Sequence, residues 1–402
     1  MLVPPSEWPD IQDDLDPDSL AEAAQTTAAY LNGLPQKSLA VADRSVGPQL
    51  LLEGARALAR IRREAKTPEE LAARLKEEFD LFRIRGSTGG PGAFFSAYYQ
   101  PVLKASPGKS GAFPYPIYRK PPDLIEADLG AFKEKWKGES IVGRLQDLGG
   151  RPLPDGDPKR HSLAEGLGHT SSGYPSVGRF VPYFDRGDID VRKALEGRGL
   201  EIAWLADQFD RLDLHIQGSG LLEFPDGTLR LARFAATNAL PYRSVGLALA
   251  GSGAVKREDL DRERLVGYLH EHPEGESWLL SQNPRYTFFE LVEVPPGGEP
   301  FGKTGRPLVA GRSIAVDPAF SPLGAAAFIR LPLVQTDASG ALLGKARTSR
   351  LVFCQDTGGA IQGPGRVDLY VGHGAQAKSL ATRVWDAGEL YLLIKKLPPR
   401  QR

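Results

Sequence analysis

The chain has no net charge, almost no cysteine and no long apolar run, and each lack removes a class of protein. Lys plus Arg and Asp plus Glu both number 50 among 402 residues. Nucleic-acid binders ordinarily carry a basic excess or stripe. Without one, no nucleic-acid partner is expected, and a largely uncharged polymer such as a glycan is compatible. The single cysteine, Cys354, excludes an internal disulfide. Within RLVFC it reads as a buried strand residue, with a reactive thiol as the alternative. No stretch is apolar over the length a bilayer requires, so no integral membrane segment is expected. The N-terminus, MLVPPSEWPDIQDDLDPD, lacks the basic and apolar regions of a secretory signal. That reading leaves a cytosolic protein, or a targeting segment outside this sequence. The histidines are scattered, and His270 and His272 do not converge on one helical face, so neither metal nor cofactor is expected. Gly251, Ser252 and Gly253 lack the rest of a nucleotide fingerprint, and no G-x-S-x-G elbow is present.

What the chain does have is punctuation. Its 45 Gly and 33 Pro are spread throughout, which suits many short strands joined by turns rather than a helical bundle or Rossmann array. Roughly the first 85 residues read as helical. Asp18 or Ser19 would cap AEAAQTTAAYLNG. A second helix covers QLLLEGARALARIRREA, with Leu51, Ala55, Leu58 and Arg62 on one face. Thr67, Pro68 and Glu70 form a start signal for EELAARLKEEFDLF. From residue 86 onward, runs such as FFSAYY, RSIAV, AAFIRL, RLVFCQD, VDLYV and LYLLIK alternate with turns. Helical interruptions are expected at 190–197, 257–272 and 375–388. A closed barrel is the natural way to protect so many strand edges.

Two aspartates are the candidate acids. Asp356 ends the apolar run Leu351–Cys354 and precedes Thr357, Gly358 and Gly359, a strand entering a tight turn with open backbone amides. Asp368 lies inside VDLYV, where period two puts it and Tyr370 on the face opposite Val367, Leu369 and Val371. An aspartate in an alternating strand is usually solvated and outward-facing. The functional alternative is a general acid whose pKa is raised by partial burial and a nearby carboxylate. Aromatic and neutral polar residues suited to sugar faces, hydroxyls and acetamido groups cluster at Phe94, Phe95, Tyr98, Tyr99 and Gln100. Others follow at Gln217, Gly218 and Ser219, and at Tyr242, Arg243 and Ser244. Taken singly, these also fit core or turn positions.

Together the motifs resemble the membrane-bound lytic murein transglycosylase A (MltA) family. The resemblance rests on AYYQP (97–101), YPIY (115–118), LEIAWLAD (200–207), IQGSG (216–220) and NALPYRSVG (238–246). It continues through GRPLVAGRSIAVD (305–317), SPLG (321–324) and QDTGGAIQGPGRVDLYVGHG (355–374), in family order across residues 94–395.

The resemblance implies a mainly β protein with a helical N-terminal part. It would be a double-psi β-barrel from residues 1–103 and 292–402, with a second β domain, 104–291, inserted as the other wall of a glycan cleft. It implies cleavage of the β-1,4 bond between N-acetylmuramic acid and N-acetylglucosamine in peptidoglycan, leaving 1,6-anhydromuramoyl ends. Asp368 falls on the catalytic aspartate and Asp356 on a supporting acid. Substrate-binding positions would be Tyr98, Tyr99, Gln217, Gly218, Ser219, Tyr242, Arg243, Ser244, Gly358, Gly359 and Tyr370. The family places such a protein in the periplasm or cell envelope, and a monomer is expected. Gln100 departs from the acid or threonine common after the paired tyrosines, so catalysis is not assigned there; the lipoprotein cysteine of anchored members is absent from this sequence. The alternatives are an inverting hydrolase using Asp368 as acid with Asp356 or Asp317 as base, and a non-catalytic wall-binding protein.

Overall fold

The computed structural model describes all residues except 36–38, 42–43, 87–91, 148–177, 258–261, 295–297, 337–341 and 398–402. Among the expectations above, part of the helix expected at 257–272 lies outside the described residues.

Contacts divide the chain into two units. The first comprises Met1–Phe113, Leu205–Arg233 and Leu291–Arg402, and the second Pro114–Trp204 and Phe234–Glu290. The division differs from the continuous 104–291 segment that the resemblance implies in placing residues 104–113, Leu205–Arg233 and Leu291 with the first unit. A local reason is strand pairing: Gly220–Glu223 runs parallel to Val102–Ser106, with Leu221 opposite Val102.

The first unit is built on a closed ring of six strands. They are β1 (Ala93–Gln100), β2 (Ser313–Ala315), β3 (Ala326–Thr336), β4 (Leu342–Asp356), β5 (Arg366–His373) and β6 (Trp385–Lys395). Going round, the order is β6-β3-β4-β2-β5-β1, and β1 pairs back onto β6. Four junctions are antiparallel, while β1 with β5 and β2 with β4 are parallel. Closure leaves no free edge within the ring. It depends on Gly388, where β6 leaves β1; a Cβ there would stand 2.4 Å from the Arg330 carbonyl and 2.7 Å from the Phe95 ring.

Period two sorts the side chains of these strands. One set, including Phe95, Ile314, Ile329, Val352, Cys354, Val367, Leu369 and Leu392, forms a single buried apolar cluster. Cys354 is fully buried there, and burial pushes its thiol up to about 12, as befits an inert strand residue. The other set, including Phe328, Leu351, Phe353 and Leu393, packs against three N-terminal helices through Leu20, Ala55, Leu58, Ile61, Leu71 and Leu75.

Those helices are α1 (Pro17–Leu31), α2 (Pro48–Glu64) and α3 (Pro68–Glu78). The cap of α1 is Asp16, not Asp18 or Ser19. With Pro17 as first helical residue, the Asp16 carboxylate accepts the Ser19 amide at 2.7 Å. In α3 the Thr67 hydroxyl accepts the Glu70 amide at 3.2 Å, and the Glu70 carboxylate accepts the Lys66 amide at 3.0 Å. The N-terminal part is not wholly helical: Phe79–Ile84, whose first four residues read from sequence as the end of a helix, is a strand paired with β6. Tertiary pairing overrides local propensity there. The helix expected at 375–388 ends at Ala381, since Trp385 already pairs with β1.

The second unit has its own core, in which Tyr118, Leu124, Tyr183, Ile189, Leu195, Leu200, Tyr286 and Phe288 pack together. It also carries a three-stranded antiparallel sheet of Ile125–Asp128, Ser140–Asp147 and Gly178–Pro182. At 190–197, where a helix was expected, only the end of a π-helical turn, Gly187–Val191, is present.

Candidate active site

One lateral row of residues crosses five ring strands. Trp385 on β6 is opposite Ser96 on β1, Ser96 is opposite Asp368 on β5, Asp368 is opposite Ala315 on β2, and Ala315 is opposite Asp356 on β4. The neighbours of this row in sequence, Phe95, Val367, Leu369 and Ile314, belong to the apolar cluster, so alternation turns Ser96 and Asp368 the other way. Asp356 reaches the row through a register shift between Ile314 and Ala315. A bulge of this kind re-aims a side chain at a strand end.

Asp368 is held on one side only. The Ser96 hydroxyl donates to its Oδ1 at 2.6 Å, and Arg366 Nη2 donates to the Ser96 oxygen at 2.8 Å. Among the described residues, Oδ2 of Asp368 takes no hydrogen bond. Burial pushes the carboxyl up to about 6; the Ser96 hydrogen bond and the Arg366 charge pull it down, and the Asp356 charge adds to the rise. Burial also lowers Arg366, whose guanidinium lies 5.5 Å from the Phe94 ring centre and 5.6 Å from that of Trp385. A carboxyl with an unused oxygen and a pKa near neutrality is equipped to deliver a proton.

Asp356 is held on both sides. Tyr98 Oη donates to Oδ2 at 2.9 Å and the Lys303 amide to Oδ1 at 2.8 Å, with the Thr357 amide also bonded to the carboxylate. Burial raises its pKa and those three donors oppose the rise. Tyr98 stacks on Tyr370 with ring centres 5.3 Å apart. The Tyr370 hydroxyl donates to Glu299, which also lies 3.7 Å from His373 Nδ1. Burial raises the Glu299 carboxyl as well.

The sequence-derived binding residues fall into separate groups. Tyr98 joins Asp356, and Tyr370 lies beside Tyr98 but is 0% exposed. Gly358 and Gly359 follow Asp356 in the turn; a Cβ at Gly358 would stand 2.8 Å from the Ile361 side chain. Tyr99 points elsewhere, 3% exposed, with its hydroxyl donating to Asp213. Gln217 ends the helix α4 (Gln208–Gln217), accepts the Tyr99 amide at 3.2 Å and donates to Asp213 at 3.2 Å. Gly218 caps that helix at φ +80°, a conformation that favours glycine, and Ser219 follows it half-buried. Tyr242, Arg243 and Ser244 belong to the second unit. There the Arg243 amide donates to Asn283 and Ser244 caps the helix α5 (Val245–Gly251).

Ser96, Arg366, Glu299, Lys303 and Trp385 were not singled out by sequence. Ser96 and Trp385 had no signal beyond strand register, which only the pairing supplies. Lys303 acts through its backbone amide, to which residue type is no guide.

Comparison with known proteins assigns the chain to a family. The model of the MltA-specific insert domain matches residues 94–166 and 162–290, and that of the 3D domain matches 312–394. Membrane-bound lytic murein transglycosylase A of Escherichia coli K12 is 28% identical over 300 residues, 74% of this chain and 64% of that protein. The enzyme of the same name from Vibrio cholerae is 32% identical over 224 residues, 54% of this chain and 58% of that protein. The chain thus spans less than two thirds of the length of either relative. A membrane-bound lytic murein transglycosylase from Agrobacterium tumefaciens superposes with a TM-score of 0.70 at 27% identity, covering 96% of this chain and 94% of that one. MltA from Neisseria gonorrhoeae does so at 0.65 and 25%, covering 100% and 92%. The chain belongs to the MltA family.

Proposed function

We propose that the protein is a lytic transglycosylase that cleaves the β-1,4 MurNAc–GlcNAc bond of peptidoglycan and leaves 1,6-anhydro-MurNAc ends. The observation that carries this reading is the asymmetry of the two aspartates: Asp368 keeps one oxygen unbonded among the described residues, whereas Asp356 is bonded at both. Asp368, protonated, gives its proton to the glycosidic oxygen as positive charge develops at C1. The C6 hydroxyl of the same sugar attacks C1, and its proton returns to the Asp368 carboxylate. No water enters, and the nucleophile is already tethered beside its target. Covering the site with glycan removes solvent and raises the acid further.

A hydrolase would need a second carboxylate free to activate water. Asp356 already accepts from Tyr98 and Lys303, and both oxygens of Asp317 accept amides, from Ala319 at 3.0 Å and Gly363 at 2.8 Å. These bonds favour the lyase over an inverting hydrolase. Tyr98, Gly358 and Gly359 are proposed to line the substrate path near the acid. Gln217, Gly218 and Ser219 remain proposed glycan contacts of the first unit, and Tyr242, Arg243 and Ser244 remain proposed glycan contacts of the second. For Tyr99 and Tyr370 the proposal becomes support of those contacts, in keeping with their burial.

The same reading extends to architecture and setting. The ring is proposed to be a double-psi barrel, supported by its two parallel pairings, with the second unit inserted into the chain of the first. No helix among the described residues is long and apolar enough to cross a membrane. The proposed place of action is the periplasm or cell envelope, with the protein acting as a monomer.

The test is digestion of purified murein sacculi followed by mass spectrometry of the released muropeptides. Anhydro ends, lighter than reducing ends by one water, are expected. Reducing ends would establish the hydrolase instead, and glycan binding with no released product would establish a wall-binding protein.

A further inference from the structure

We propose that Trp385 is a saccharide-stacking subsite for the strand being cut, seated two strands from the acid. This deepens the proposed function and rests on it for the identity of the polymer.

Trp385 is the most conspicuous apolar side chain in the row that contains Asp368: 70% of it is exposed, although it lies within a paired strand. An indole left in water at a regular strand position is costly to hydration and is commonly retained for contact with a ligand. Its ring is not loose. Phe94 meets it edge-on with ring centres 4.8 Å apart, and the Arg366 guanidinium lies 5.6 Å from its centre. Two side chains thus fix the ring, with Arg366 over one face, while most of its surface stays open. Pre-ordering of this kind lowers the entropy lost when a partner stacks on it.

The position relates the indole to the acid. Asp368, Ser96 and Trp385 are lateral neighbours on β5, β1 and β6. Arg366 donates to Ser96 and also lies against Trp385, so the three side chains share one face. Two strand spacings separate Trp385 from Asp368, on the order of 10 Å. That is the reach of a short oligosaccharide whose scissile bond sits at Asp368. An N-acetylated sugar has an apolar ring face for the indole, and charged groups are not required of it. The β-1,4-linked amino-sugar chain is therefore the ligand class.

The rival explanation is that Trp385 only holds Arg366 in place. In that case its loss would move the ionisation of Asp368, because Arg366 lowers that group, and would leave glycan affinity alone.

The experiment compares wild type, Trp385→Phe and Trp385→Ala. Chitohexaose binding is measured by calorimetry in an Asp368→Asn background, and kcat, KM and pH profile on soluble glycan strands in the active background. Trp385→Ala should weaken chitohexaose binding on the order of tenfold, about 1.4 kcal/mol. KM should rise by more than kcat falls, and Trp385→Phe should recover most of the loss. Unaltered affinity in Trp385→Ala overturns the subsite, as does a shifted pH limb with unaltered KM. Reducing ends in the wild-type digest would instead refute the transglycosylase reading, and the calorimetry would still decide the subsite.

Discussion

Asp356 and Asp368 stand opposite the same residue, Ala315, from the two strands that flank it. One short strand thus sets the separation of the two carboxyl groups, and the charge of Asp356 helps raise the pKa of Asp368. The division of roles proposed for the pair rests on its unequal hydrogen bonds. Asp356 is fastened to Tyr98 and to backbone amides, so its proposed action on Asp368 is through charge and through the shape of the turn.

Asp368→Asn should therefore abolish murein solubilisation, by about 10²–10⁴-fold, the usual contribution of a positioned general acid. Asp356→Asn should cost about tenfold, since it removes one charge and disturbs three hydrogen bonds without removing the proton donor. Initial rates of sacculus clearing, taken with circular dichroism to verify folding, measure both. Equal losses in the two variants would contradict the division of roles.

The pH limb offers a sharper check, because two substitutions should move it in opposite directions. The activity of a protonated acid falls as pH rises through its pKa, here about 6. Ser96→Ala removes a hydrogen bond that favours the ionised form, so the limb should move to higher pH. Asp356→Asn removes a charge that disfavours it, so the limb should move to lower pH. Profiles of kcat/KM for the two variants decide this, and shifts of one sign in both would be incompatible with the assigned causes.

Much of this site was legible before any coordinates, but unevenly. Runs such as RLVFCQD and VDLYV announce strands because alternation and β-branching act over a few residues. Thr67, Pro68 and Glu70 announce a helix start for the same local reason. Asp368 itself gave no chemical signal: an aspartate in a strand is ordinarily solvated, and only the family motifs single it out. What makes it an acid is burial, and what orients it is Ser96, 272 residues away. Trp385 was hidden twice over. AQAKSLATRVWDAG has helical composition, and only the pairing of β6 with β1 turns its end into strand. The α1 cap was misread by two or three residues because Asp16, Asp18 and Ser19 all suit a cap, and the position of Pro17 decides among them.

Stability should carry the signature of the same acid. Folded Asp368 holds its proton to about pH 6, while an aspartate in the unfolded chain ionises near 3.8. Between those values the folded state binds more protons than the unfolded one, so stability from this group is fully present below about pH 4 and falls as pH rises to about 6. The loss amounts to at most about 3 kcal/mol. Urea midpoints at pH 4, 5, 6 and 7 should show this decline in wild type and a smaller one in Asp368→Asn. Parallel curves for the two proteins would place the titrating group elsewhere.

The last prediction concerns how the N-terminal segment is fastened to the barrel. Arg312, fully buried at the start of the 3D-matching region, reaches Asp13 across 299 residues through contacts of 2.5 and 3.0 Å. It also donates to Ser19 Oγ at 3.0 Å and to the carbonyls of Asp16 at 2.7 Å and Leu351 at 2.8 Å. Arg62 shares the same carboxylate at 2.7 Å. A buried pair of this kind is poor evidence of net stabilisation, since desolvation offsets the attraction, but removing one partner strands the other charge. Asp13→Ala should therefore destabilise by about 3–5 kcal/mol. Asp13→Ala with Arg312→Met should cost clearly less than the two single changes added together, because the second removes the charge that the first left unpaired. Urea unfolding of the four proteins closes the cycle, and strict additivity would mean that Asp13 and Arg312 do not act as a unit.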